Sequence, residues 1–119
     1  MAALEQPKSF VSAPAGEDLE LKHRYTGVGL TSNGLTTASA ATTPYGVLYL
    51  PEKTGIACKV MIEGIAMCKV AAAGDLTLGQ QVEFNASGEL IAHASGVVVG
   101  VMQADAPKNS IGAVLLQLT

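Results

Sequence analysis

The apolar positions of this 119-residue chain alternate or gather in short runs, and nowhere do they recur at helical spacing over a useful length. Asp18-Leu19-Glu20-Leu21-Lys22 alternates strictly, and Arg24-Tyr25-Thr26-Gly27-Val28 continues in a half-buried style. Tyr45-Gly46-Val47-Leu48-Tyr49-Leu50 is a near-continuous apolar strand bounded by Pro44 and Pro51. Gly55 opens a long β run over 56–67, with Gly64 as a turn or kink. Later strands are expected over 78–84, 89–94, 96–102 and 111–118. Turn signals separate them: Ser32-Asn33-Gly34, Asn85-Ala86-Ser87-Gly88 and Ala106-Pro107-Lys108-Asn109-Ser110. The pattern predicts an all-β fold of seven to nine short strands in a compact barrel or sandwich.

The same pattern occurs twice. A shift of 54 positions lays Gly34 on Gly88, Ala38 on Ala92 and Ala40 on Ala94. It also lays Tyr45-Gly46-Val47-Leu48 on Val99-Gly100-Val101-Met102, and Val60-Met61-Ile62-Glu63 on Val114-Leu115-Leu116-Gln117. With a three-residue slip, Asp18-Leu19-Glu20-Leu21 lies on Asp75-Leu76-Thr77-Leu78. Two copies are too few for a solenoid, which needs at least three stacked units. They predict one β domain over 17–119, built of pseudo-repeats at about 17–70 and 74–119 that complete each other's core. Residues 1–16 carry Pro7 and Pro14 and no sustained period, and read as an extended N-terminal arm. Ser9-Phe10-Val11 is its only patch with strand character, and Phe10 is its apolar anchor.

Composition adds a partner to this picture. Apolar residues make up 49% and charged residues 14%, against the usual quarter or so of charged residues. So little charge leaves a surface rich in Ala, Val, Ser and Thr, which favours an assembly over a free monomer. The net charge is −3 and no basic stripe interleaves with aromatics, which argues against nucleic acid. No apolar run reaches the roughly 18 to 20 residues of a membrane helix, and the first residues lack the form of a secretory signal. Residence in a cytoplasm is the default expectation.

Candidate chemistry is sparse. His23 is read as a solvated strand position, and His93, between alanines, as a surface or interface residue. Cys58 and Cys68 lie in the similar strings Cys-Lys-Val. A hairpin at Glu63-Gly64 could place them opposite each other with a three-residue loop, or on opposite faces with a two-residue loop. A reducing compartment favours two small buried thiols. Gly27-Val28-Gly29 lacks the Gly-Lys-Ser/Thr and the helix of a phosphate loop, and two Cys with two distant His make no zinc spacing. No nucleophile, base and oxyanion donor can be assembled, so no catalytic residue, metal or cofactor is expected.

The order of these segments resembles the small capsid decoration, or cement, proteins of tailed bacteriophages. The resemblance lies in the Asp18-Leu19 opening, Pro44-Tyr45-Gly46-Val47-Leu48, Val60-Met61-Ile62-Glu63-Gly64-Ile65-Ala66, Ala73-Gly74-Asp75 and Val99-Gly100-Val101-Met102. It covers roughly residues 15–118. Asn109-Ser110 stands where many members have Gly, and Met102 where Ala is common. The resemblance implies a non-enzymatic head protein with a β-tulip-like core, often a homotrimer. It would sit on the outer surface of the expanded viral capsid and clamp neighbouring major capsid protein subunits. Such a protein would reside in the host cytoplasm before assembly into the virion. Its arm, here Ser9, Phe10 and Val11, would add as a strand to the capsid. The competing expectation is a small non-catalytic β-barrel binding module in a larger complex. Carrier domains need a Lys at a hairpin tip, whereas Lys59 and Lys69 lie within predicted strands. A carbohydrate module needs a flat aromatic platform, and Phe10, Tyr25, Tyr45, Tyr49 and Phe84 are scattered along the chain.

Overall fold

One strand, β5 over Ala57–Lys69, organises the molecule, and its 13 residues are long for a strand because it serves two halves of one sheet. The computed structural model describes residues 6–37, 43–94 and 96–117, and of residues 6–10 and 21 it describes the backbone. The first half of β5 pairs with β1 (Gln6–Pro14) on one edge and with β4 (Pro44–Leu50) on the other. Its second half pairs with β9 (Ile111–Leu116). Val60 and Met61 have partners in both β1 and β4, while Gly64 and Ile65 have partners in both β1 and β9. A residue can pair across only two edges, so β4 and β9 lie end to end along the same edge of β5.

The remaining strands complete one nine-stranded sheet whose two halves have identical order. β2 (Gly27–Thr31) joins β3 (Gly34–Thr37) to β4, giving β3-β2-β4-β5-β1. β6 (Gln81–Phe84) joins β7 (Leu90–Ala92) to β8 (Gly100–Met102), giving β7-β6-β8-β9-β5. Every ladder is antiparallel. Each half curls until its two ends meet at one parallel bridge, Ala15 with Leu35 and Val70 with Leu90. Beside these bridges Gly16 N–H donates to Leu35 O at 2.8 Å and Ala71 N–H to Leu90 O at 3.0 Å. The fold is all-β, two small barrels sharing one strand.

The duplication holds to the level of single hydrogen bonds. Gly27–Val47 and Leu48–Val60 in barrel 1 recur as Gln81–Val101 and Met102–Val114 in barrel 2. Ala13–Cys58 recurs as Cys68–Gly112, so β1 stands to barrel 1 as the second half of β5 stands to barrel 2. Asp18 Oδ1 accepts from Thr54 N–H at 2.9 Å, and Asp75 Oδ1 accepts from Lys108 N–H at 2.9 Å. Leu19 and Leu76 then donate their N–H groups to Glu52 O and Ala106 O. Gly46 and Gly100 mark matching close approaches of backbones: a Cβ there would lie 2.5 Å from Met61 O and 2.2 Å from Leu115 O. No side chain fits at either position.

Each barrel has its own core. Ala13, Ala15, Leu19, Val28, Leu35, Leu48, Cys58 and Val60 are buried together in barrel 1. Cys68, Val70, Leu76, Val82, Leu90, Met102 and Val114 hold the matching positions in barrel 2. Ala13 faces Cys58 in one barrel and Cys68 faces Gly112 in the other, so one cysteine thiol is kept in each core on alternate strands. Met102 replaces Leu48, and Gly112 leaves room for it: a Cβ at Gly112 would lie 2.8 Å from Met102 Cε. Volume is conserved by paired changes, as dense packing requires. Val47 and Met61 depart from this symmetry, because they point out of barrel 1 into the core cluster of barrel 2.

Some sequence expectations change here. Glu63-Gly64 is no hairpin: β5 runs straight through it, kinked where Gly64 takes φ 102°. Pairing on both edges carries the strand past a residue that weakens it. Cys58 and Cys68 are free thiols in separate cores. The alternation over 18–22 forms no strand, because Asp18 caps the 54–55 turn and Leu21–His23 winds into a 3-10 turn. That turn is inserted in barrel 1 and accounts for the three-residue slip between the repeats. The segment expected as an arm forms β1 over Gln6–Pro14, and what pins it is the chain's own β5. β3 ends at Thr37, and residues 38–42 lie outside the described part.

Candidate interaction surface

Ser9, Phe10 and Val11 lie in the middle of β1, opposite Glu63, Met61 and Val60 of β5. The register breaks between Pro7 and Ser9 and again between Ser9 and Phe10, so β1 is bulged where it carries these residues. Val11 packs against the core of barrel 1; the side chains of Ser9 and Phe10 lie outside the described part. Among the described residues β1 pairs along one edge only, apart from the bridge at Ala15 just beyond it. Pro7 and Pro14 near its two ends are the marks of an edge strand.

Across β5 from β1 stands a cluster that the sequence left scattered. Lys59, opposite Ser12 of β1, places its ammonium 6.0 Å from the centre of the Tyr49 ring. Tyr49 and Tyr25 meet edge to face at 6.4 Å, with 69° between their planes. The Arg24 guanidinium lies over both rings, 4.7 Å from the centre of Tyr25 and 4.9 Å from that of Tyr49. Lys69 Nζ donates to Lys22 O, and Lys69 N–H donates to Tyr25 O. Two cations, Arg24 and Lys59, thus lie against two tyrosines on a chain of net charge −3.

Tyr25 holds φ at 64°, a conformation uncommon for a bulky residue. Its counterpart in barrel 2 is Gly79 at φ 84°, and both donate to equivalent carbonyls, Leu48 O and Met102 O. Barrel 1 therefore tolerates strain to keep a tyrosine where barrel 2 has glycine, which is a mark of a functional position. The matching positions to Arg24, Tyr49 and Lys59 are Leu78, Gln103 and Ala113, so barrel 2 has none of this cluster. Comparison of the two repeats is the signal that would have found it in the sequence.

The two histidines do different work. His23 ends the 3-10 turn and accepts Glu20 N–H on Nδ1 at 2.8 Å. His93 Nδ1 lies 3.2 Å from Glu83 Oε1, which also accepts from Ala94 N–H at 2.7 Å and Gly96 N–H at 3.0 Å. The amide of Ala94 above all holds the Glu83 carboxyl below the ordinary carboxylate range, against the effect of burial. Glu83 thereby straps the β7–β8 loop to barrel 2. Burial pushes both cysteine thiols above their ordinary range. Among the described residues no three His, Cys, Asp or Glu side chains gather as a metal site, and no helix is long and apolar enough to cross a membrane.

No protein-family model matches the chain, and no curated protein matches it.

Proposed function

We propose that this chain is a structural, non-catalytic decoration protein that binds the outer surface of an expanded phage head and ties major capsid protein subunits together. The observation that carries this reading is β1: among the described residues an edge strand, bulged and bracketed by prolines, in the barrel that also holds, across β5, a cation–aromatic cluster absent from the other barrel. A capsid strand adds to the outer edge of β1, gaining backbone hydrogen bonds, while the cluster around Arg24 supplies charge for an acidic neighbour. Motif order supports the same reading, since the segments 44–48, 60–66, 73–75 and 99–102 follow one another in the order that resembles the decoration proteins.

This changes the energetics expected of a free arm. Ordering a segment costs about 1 to 2 kcal/mol per residue. β1 is already ordered on β5, so little of that cost falls on capsid binding. It also changes what truncation does. Ala13 and Ala15 belong to the core of barrel 1, so removal of residues 1–16 would open that barrel rather than leave an intact protein without its arm. Self-association, expected as a homotrimer, multiplies modest single contacts into avidity.

Co-sedimentation with expanded, undecorated heads of the encoding phage tests the proposal. The expected result is saturable binding with a plateau at a symmetry-compatible number per capsid subunit. Phe10→Ala weakens it by about 1 to 3 kcal/mol if the ring anchors in a capsid pocket. Absence of binding to expanded heads contradicts the proposal.

A further inference from the structure

The two barrels meet through a heterologous contact, one face of barrel 1 against a different face of barrel 2. On barrel 1 the contact is a row across the sheet: Met61 on β5, Val47 on β4 and Gly27 on β2, paired in that order. Met61 is 1% and Val47 2% exposed, although both point away from the interior of their own barrel. On barrel 2 the receiving side chain is Phe84, which packs against that core cluster at the end of the β6–β7 hairpin. Gly27 admits the ring: a Cβ there would lie 2.4 Å from Phe84 Cδ2. Gly27 N–H also donates to Gly88 O at 2.6 Å.

Because the barrels are copies, each half of this contact exists a second time, and among the described residues it lacks the partner that covers the first. The row Met61, Val47, Gly27 recurs on barrel 2 as Leu115, Val101, Gln81 with the same cross-strand pairing. Val101 and Leu115 are only partly buried and Gln81 is exposed, where their counterparts are buried. Phe84, opposite Leu90, recurs on barrel 1 as Leu30, opposite Leu35, and Leu30 is 48% exposed. The sizes change together. Where barrel 1 presents Gly27 to the large Phe84, barrel 2 presents the larger Gln81, and the side chain that would meet it is the smaller Leu30.

We infer that the chain associates head to tail with further copies of itself, the Val101–Leu115 face of one copy covering the Leu30 end of the next as barrel 1 covers Phe84 within the chain. A heterologous contact of this kind closes into a ring or runs into a filament, according to its rotation. The inference rests on the duplicated fold and stands independently of capsid binding.

Sedimentation velocity on the purified full chain tests it with two variants. Leu30→Glu removes one half of the contact and Leu115→Glu the other. The wild type is expected to associate with rising concentration, and each variant to sediment as a monomer, its association weakened at least about tenfold by a desolvated charge. An equimolar mixture of the two variants retains one intact half from each, so it forms a 1:1 dimer and nothing larger. Leu30 is exposed, so Leu30→Glu retains the fold; Val101→Glu replaces Leu115→Glu if the latter melts early. Leu78→Glu, at a position 66% exposed and outside both faces, leaves association unchanged. A wild type that stays monomeric up to about 1 mM overturns the inference. So does a Leu30→Glu protein that still associates, or a mixture of two monomeric variants that does not pair.

Discussion

Barrel 1 and barrel 2 are one design executed twice, and their differences are more instructive than their likeness. What is duplicated is scaffold: the Gly46 and Gly100 crossings, the Asp18 and Asp75 caps, and cores whose members change in compensating pairs. What is not duplicated lies on surfaces. Barrel 1 alone has the Arg24, Tyr25, Tyr49 and Lys59 cluster, with Tyr25 held at positive φ. Barrel 2 alone has the Glu83 strap, where barrel 1 has Gly29. Within a duplicated fold, a residue without a counterpart is not needed to build the barrel. Such residues are where function is to be sought.

The sharpest way to break this comparison is in the cores. Leu35→Ala and Leu90→Ala empty equivalent, fully buried sites, and each is expected to cost about 2 to 5 kcal/mol in urea unfolding. Because Val47 and Met61 tie barrel 1 into the core cluster of barrel 2, both variants should unfold in one transition. Two separated transitions would show the barrels to be independent. Next in size is the contact between them. Phe84→Ala should cost about 2 to 3 kcal/mol, because a ring seated on Gly27 is lost. Leu30→Ala, at the equivalent but uncovered position, should stay within about 0.5 kcal/mol for the monomer. Equal costs would remove the distinction between a covered and an open end.

The smallest effect is electrostatic and belongs to barrel 2. The folded state holds the Glu83 carboxyl below its unfolded value, chiefly through the Ala94 amide. Its contribution to stability is present above the ordinary carboxylate value of 4.5 and is lost as pH falls through the lower, folded value. Glu83→Gln should lower stability at neutral pH and flatten the acid side of the stability profile. An unchanged profile would mean that the strap carries no weight.

Much of this architecture was legible in the chain. The repeat could be read because its markers, Gly46-Val47 with Gly100-Val101 and Asp18-Leu19 with Asp75-Leu76, sit where backbone approach or a capped turn allows few residues. β5 is legible as a long β run over 56–67, but whether Gly64 turns it or only kinks it is not. Glu63-Gly64 has the local chemistry of a turn, and only neighbours remote in sequence, β1 and β9, hold it extended. β1 was read as an arm because its prolines break local patterns, yet an edge strand tolerates a missing N–H on its open side. The Tyr25–Tyr49 pair was invisible for a different reason. Its members adjoin only after β4 has paired with β2 and β5, and no local period announces that.

Hydrogen exchange of the protein free and bound to expanded heads tests the central claim most directly. The account predicts that the amides on the outer edge of β1, and those flanking Arg24 and Tyr25, gain protection on the shell, while the β6–β7 hairpin of barrel 2 does not. Protection confined to barrel 2, or none at all on saturated heads, would contradict the assignment of barrel 1 as the face that meets the capsid.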